Sequence, residues 1–172
     1  LDEKIAAVNA KIAEALASTT YEDPADQVPP PPARETETVW FEDEFPVGTK
    51  PESTGVPLTL VTKETGPVFS GGAAIKRTAT EKVGQDFFSG GAEFVVPTKG
   101  RIFVHAYLDP KDTPEAIMVQ FHVGGWNRRA VWGDADKINF GRIGNVEKVP
   151  MGPLPEAGKW VRLEVPADQL DL

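Results

Sequence analysis

From residue 39 onward, glycine and proline recur at intervals too short to leave room for a long helix. Between these breaks lie short apolar or alternating runs: LTLVTK at 58–63, AIKRTAT at 74–80, AEFVV at 92–96, RIFVHAYL at 101–108, IMVQFHV at 117–123, RRAVWG at 128–133 and WVRLEV at 160–165. Val39-Trp40-Phe41 opens the series, and turn chemistry follows at Pro46-Val47-Gly48, at 97–100 (PTKG) and at 109–114 (DPKDTP). Strands bounded by Gly/Pro turns, with no helical period among them, predict an all-β domain, a sandwich or barrel of about eight strands.

The stretch 117–134 is the most informative. Ile117, Val119, Phe121 and Val123 alternate with Met118, Gln120 and His122, the period of a strand with one buried face. Gly124-Gly125 supplies the φ > 0 conformations of a short hairpin. Beyond it, Arg128, Ala130 and Trp132 share one face and Arg129 and Val131 the other. If strands 101–108, 117–123 and 128–133 are neighbours, their non-core faces combine His105, Tyr107, Gln120, His122, Arg128 and Trp132. Phe103 then forms a floor, Trp126 and Asn127 overhang the turn, and Arg77 adds a cation from a further strand. Each member also has a plainer reading: Trp132 as a core tryptophan, the histidines as ordinary sheet-surface residues, Trp40 and Trp160 as core or seam.

Charge and composition narrow the partners. Residues 1–38 hold three basic and eight acidic residues, a net −5, whereas 39–172 hold fifteen and eighteen, a net −3. A mildly acidic domain lacks the basic footprint that nucleic-acid phosphates require. No apolar run reaches the ~20 residues of a membrane-spanning helix. The chain has no cysteine, so disulfides, thiolate metal sites and Cys-x-x-Cys-His haem attachment are excluded within it.

Leu1, Ile5, Val8, Ile12 and Ala15 form a heptad-like stripe, predicting an amphipathic helix over 1–20, read as the end of an upstream region. Residues 21–38, with Pro24 and the four prolines 29–32, read as a polyproline spacer. The third unit is the β-domain, 39–172.

The succession VWFEDEFPVG, PVFSGG, KRTA, QDFFSGG, RIFVHAYLDP, PEAIMVQFH, GGWNRRAVWGD and MGPLPEAGKWVRLEVPA resembles the concanavalin/laminin-G-like jelly-roll domain of planctomycete multidomain proteins that also carry cytochrome-c-type haem domains. The resemblance implies a jelly-roll sandwich over 39–172, with further family strands expected after the 160–165 run. It places the chain in an exported protein, periplasmic or at the cell surface, with other domains of the same polypeptide as partners and no haem in this chain.

Such jelly-roll sheets commonly bind polysaccharide. Aromatic rings stack on the apolar faces of sugars, and Arg, Gln, Asn and His hydrogen-bond the hydroxyls. Guanidinium groups suit the carboxylates or sulfates of an acidic polysaccharide. The expected site is therefore Trp126, Trp132, Arg128, Gln120, His122, His105, Tyr107, Asn127 and Arg77. Structural calcium is expected at Glu42, Asp43 and Asp168, should the terminal strands meet. No nucleophile elbow and no pair of carboxyls flanking a cleft is visible, so a non-catalytic binding module is expected. The alternative is a structural or protein-interaction sandwich that positions neighbouring haem or enzyme domains.

Overall fold

The computed structural model describes residues 8, 9, 11, 12, 14, 36–78 and 83–172. The chain divides into two compact units, Leu1–Thr38 and Val39–Leu172. In the first, Val8, Asn9, Lys11, Ile12 and Glu14 are helical and exposed. The rest of the predicted helix, the prolines 24 and 29–32, and residues 79–80 of the predicted 74–80 strand lie outside the described residues. No helix among the described residues is long and apolar enough to cross a membrane.

The second unit is all-β. Its strands are β1 (Thr49–Thr54), β2 (Thr59–Thr62), β3 (Ala73–Lys76), β4 (Gln85–Gly90), β5 (Arg101–Tyr107), β6 (Ala116–His122), β7 (Trp126–Gly133), β8 (Val149–Gly152) and β9 (Trp160–Pro166). They form four small sheets, none closed: β1–β4, β2–β3, β5–β9 and β6–β7–β8. All pairs are antiparallel except β7–β8, which is parallel and joined by the 134–148 crossover. The strand expected at 92–96 is absent; Phe94 and Val95 lie exposed in irregular chain. Pairing falls instead to 49–54 with 85–90 and to 149–152, segments whose prolines and polar residues hide the strand pattern. Pro51 and Pro150 sit in strands paired on one side only, the setting in which a missing N–H costs no ladder bond.

One core lies between two of the sheets. Ala130 and Trp132 of β7 meet Leu163 and Val165 of β9, with Leu170 wholly buried beneath them. Ile117, Val119 and Phe121 of β6, Ala106 of β5 and Val149 and Met151 of β8 pack around this cluster. Alternation explains it: Val161, Leu163 and Val165 face inward, and Ala106, Val104 and Ile102 are their cross-strand partners. The 3-10 turn Ala167–Leu170 folds Leu170 back under the sheet, closed by Leu172 N–H donating to Ala167 O at 3.0 Å. A second aromatic cluster joins Trp40, Phe41, Phe45, Phe88 and Phe94, its ring pairs 5.1–6.5 Å apart.

Strand β7 is covered on both faces. Val131 and Arg129 point away from the core, yet both are buried, with Arg129 packed against the 134–148 crossover. Lys148, itself buried, donates from Nζ to Ala135 O at 3.1 Å and Ile138 O at 2.5 Å, tying the crossover together.

Candidate functional site

The β6–β7 register decides which side chains share a face. Ile117 pairs with Trp132, Val119 with Ala130, Phe121 with Arg128 and Gln120 with Arg129. Arg128 and Trp132 therefore lie on the apolar, inward face, opposite Gln120 and His122. The expected combination of Arg128 and Trp132 with Gln120 and His122 is corrected on this point. Trp132 is 6 % exposed and belongs to the core, where no sugar can stack on it. Arg128 is half-buried beside Phe121, and its Nε is buried without a hydrogen-bond partner.

A bulge between Phe121 and His122 re-aims the tip. It leaves Asn127 as the extra residue and pairs His122 with Trp126, so Trp126 is the first residue of β7, inside the strand pair. Gly124 takes φ 67°, the left-handed conformation that this turn requires. The indole of Trp126 is 43 % exposed. It meets the His122 imidazole edge-on at 5.1 Å and the Phe87 ring of β4 at 6.0 Å. Asn127 and His122 are exposed beside it. Gln120 does not face solvent with a free amide: its Nε2 donates to Trp126 O at 2.9 Å.

His105 and Tyr107 are carried elsewhere. β5 pairs with β9 and not with β6, so these residues join Trp160, Arg162 and Glu164 on the outer face of a separate sheet. Tyr107 lies 5.7 Å from Trp160, and Arg162 stacks over Phe103 at 3.7 Å. Phe69, from the loop after β2, lies on His105 at 3.7 Å and reaches Trp160 at 5.9 Å. Trp160 is thus a half-buried member of an outer aromatic row and not a core residue. Glu164 brings a carboxylate to this face, but Arg162 (2.6 Å) and Arg101 (3.0 Å) both donate to it. Those bonds, Arg162's first, hold its carboxyl below the usual range.

Arg77 joins neither group. Its guanidinium pairs with Asp86 and donates to the carbonyls of Val56 and Gln85, which ties the loop after β3 to β4. The acidic residues expected to hold calcium do not converge. Asp43 Oδ1 accepts the N–H groups of Gly72 (2.6 Å) and Ala73 (2.9 Å), which pull its carboxyl below the ordinary value. Gly71 suits this turn: its φ of 62° is one that L side chains rarely adopt, and a Cβ would crowd the Asp43 carboxylate. Among the described residues no three His, Asp or Glu side chains form a group that could hold a metal, and the Asp43 carboxylate is engaged by the Gly72 and Ala73 amides.

The expected site therefore resolves into a hairpin tip with Trp126, His122, Gln120 and Asn127, and a β5–β9 face with His105 and Tyr107. Sequence reasoning missed Phe87, Phe69, Arg162 and Arg129 as contributors. Only Arg162 carried a usable signal, by sharing parity with Trp160 in an alternating strand. No protein-family model, curated protein or solved structure matches the chain.

Proposed function

We propose that the 39–172 domain is a non-catalytic carbohydrate-binding module, a jelly-roll-type sandwich within a larger exported protein of the planctomycete multidomain kind. The observation that carries this reading is the Trp126 indole, 43 % exposed at the hairpin tip and braced by His122 and Phe87. A braced, half-open indole offers a flat apolar surface to a pyranose ring, and the neighbouring Asn127 amide and His122 imidazole supply hydroxyl partners. The hairpin 117–133 carries no carboxylate, so an acidic polysaccharide meets no like charge there.

Affinity electrophoresis against plant and algal polysaccharides, neutral and acidic, tests this. Wild-type protein is retarded by at least one of them, and Trp126→Ala removes at least about 10-fold in affinity, as loss of a stacking platform does. No retardation by any polysaccharide, or retardation unchanged by Trp126→Ala, sinks the reading.

A second reading is a protein-interaction sandwich that positions neighbouring domains. The exposure of Val39, Val47, Phe94 and Val95 favours it, since Val39 and Phe94 adjoin the Trp40 aromatic cluster in sequence or in space.

A further inference from the structure

The Trp126 carbonyl receives two side-chain donors. Gln120 Nε2 reaches it from β6 at 2.9 Å, and Arg129 Nη2 reaches it from three residues along β7. A carbonyl oxygen has two lone pairs, so two such donors can saturate it.

Arg129 is itself immobilised. It is 8 % exposed, its Nη1 donates to Glu147 O at 2.9 Å, and its guanidinium carbon lies 4.9 Å from the centre of the Phe140 ring. Its backbone N–H donates to Val146 O at 3.0 Å. Gly141 closes the far wall, where a Cβ would stand 2.8 Å from Nη1. The hydrogen-bond acceptors of this buried guanidinium are backbone carbonyls, one in the crossover and one at Trp126. The Glu147 carboxylate acts on it through space and its Nε is buried without a partner, but its hydrogen bonds make it a strut between two backbone segments.

We infer that Gln120 and Arg129 are positioning residues that fix the Trp126 peptide, and through it the plane of the indole, before any ligand arrives. The inference rests on the carbohydrate-binding reading of Trp126. A platform already ordered in the free protein spares the ligand the cost of ordering it, so the clamp raises affinity without touching the sugar. It also makes the 134–148 crossover part of the site's scaffold: the strut that holds Trp126 is anchored at Glu147 and Phe140.

The test uses the whole chain and three probes: cellohexaose, laminarihexaose and hexagalacturonate. Gln120→Met and Arg129→Lys are compared with wild type and Trp126→Ala by calorimetric titration, by thermal melting and by 15N relaxation of the Trp126 indole N–H. Gln120 is only half-buried, so its variant carries the test even where Arg129→Lys loses the fold. With the clamp intact in wild type, Gln120→Met binds about 3- to 10-fold more weakly, its melting temperature stays near wild type, and the Trp126 indole becomes measurably more mobile in the free protein. Unchanged affinity and unchanged indole order in Gln120→Met, with Trp126→Ala still abolishing binding, overturns the clamp and leaves the binding site standing. Weaker binding that tracks a lowered melting temperature, with indole order unchanged, makes both residues merely structural and also overturns it. Failure of the wild-type protein to bind any of the three sugars removes the binding reading and this inference with it.

Discussion

Phe69 lies flat against His105, their ring centroids 3.7 Å apart and their planes only 13° from parallel. Phe69 is 51 % exposed and comes from a loop, whereas His105 is fixed in β5. The loop is anchored in turn by Asp43, which accepts the N–H groups of Gly72 and Ala73. A side chain this open gains little from burial, so the stack itself holds the loop on the β5–β9 face. A double-mutant cycle with Phe69→Ala and His105→Ala in urea is expected to give a coupling of about 0.5–1.5 kcal/mol. Strictly additive losses would show that the loop is held by Asp43 alone.

The two hairpin tryptophans separate function from stability. Trp132→Ala empties the core between β7 and β9 and is expected to cost about 3–5 kcal/mol. Trp126→Ala removes a half-exposed ring and is expected to cost about 1 kcal/mol or less. Denaturant midpoints check both. Equal losses would contradict the division of the two residues between core and surface.

Among the described residues Arg128 has no hydrogen-bond or ion-pair partner, and its Nε is buried and unsatisfied. Replacing such a group by an apolar side chain of similar length removes a desolvation cost of about 1 kcal/mol or more. Arg128→Met is therefore expected to raise the urea midpoint. Destabilisation on that substitution would mean that the guanidinium stem packs better than the methionine that replaces it.

The acid limb of stability is expected to depend on Glu164 and Asp43. Arg162 and then Arg101 depress the carboxyl of the first, and the amides of Gly72 and then Ala73 depress that of the second. A carboxyl whose folded pKa lies below its unfolded value contributes stability above the unfolded value, about 4, and loses it as pH falls through the folded value. The melting temperature is thus level from neutrality to about pH 5 and declines below about pH 4. Glu164→Gln and Asp43→Asn each make that decline shallower. A decline equally steep in both variants would locate the acid sensitivity in other groups.

Lys148→Met is expected to cost about 1–3 kcal/mol, because it strands the carbonyls of Ala135 and Ile138 without their donor. Chemical denaturation measures it. A neutral result would show that water replaces the ammonium.

Strands were legible where the two faces differ in character. β5, β6 and β9 alternate strongly and fall close to where alternation places them, while β1 and β8 carry too many polar residues and prolines to declare themselves. The false strand at 92–96 is apolar but contains no alternation to give it a buried side. Pairing was the larger gap. Nothing local to His105 or Tyr107 reveals that their neighbour is β9, because a cross-strand partner is chosen by the whole core and not by the strand's own pattern. The site shifted for the same reason. Parity counted from Gln120 across a two-glycine turn depends on how many residues the turn and its bulge consume, and one extra residue, Asn127, is enough to send Arg128 inward with Phe121 and Arg129 outward with Gln120.

The pairing of β5 with β9 also governs how the domain is made. Along the chain, β5 appears first, then β6, β7 and β8, which can zip together as they are synthesised. β5 cannot; its partner begins at Trp160, and the core residues Leu163, Val165 and Leu170 come later still. Until then Phe103, His105 and Tyr107 form an unpaired aromatic strand, the kind of intermediate that chaperones hold and aggregates recruit. Long-range closure of this sort is slow, and it delays completion of this core until residues 160–170 have been made. A ribosome stalled before Trp160 therefore releases not a smaller version of the domain but a chain lacking one wall of its core.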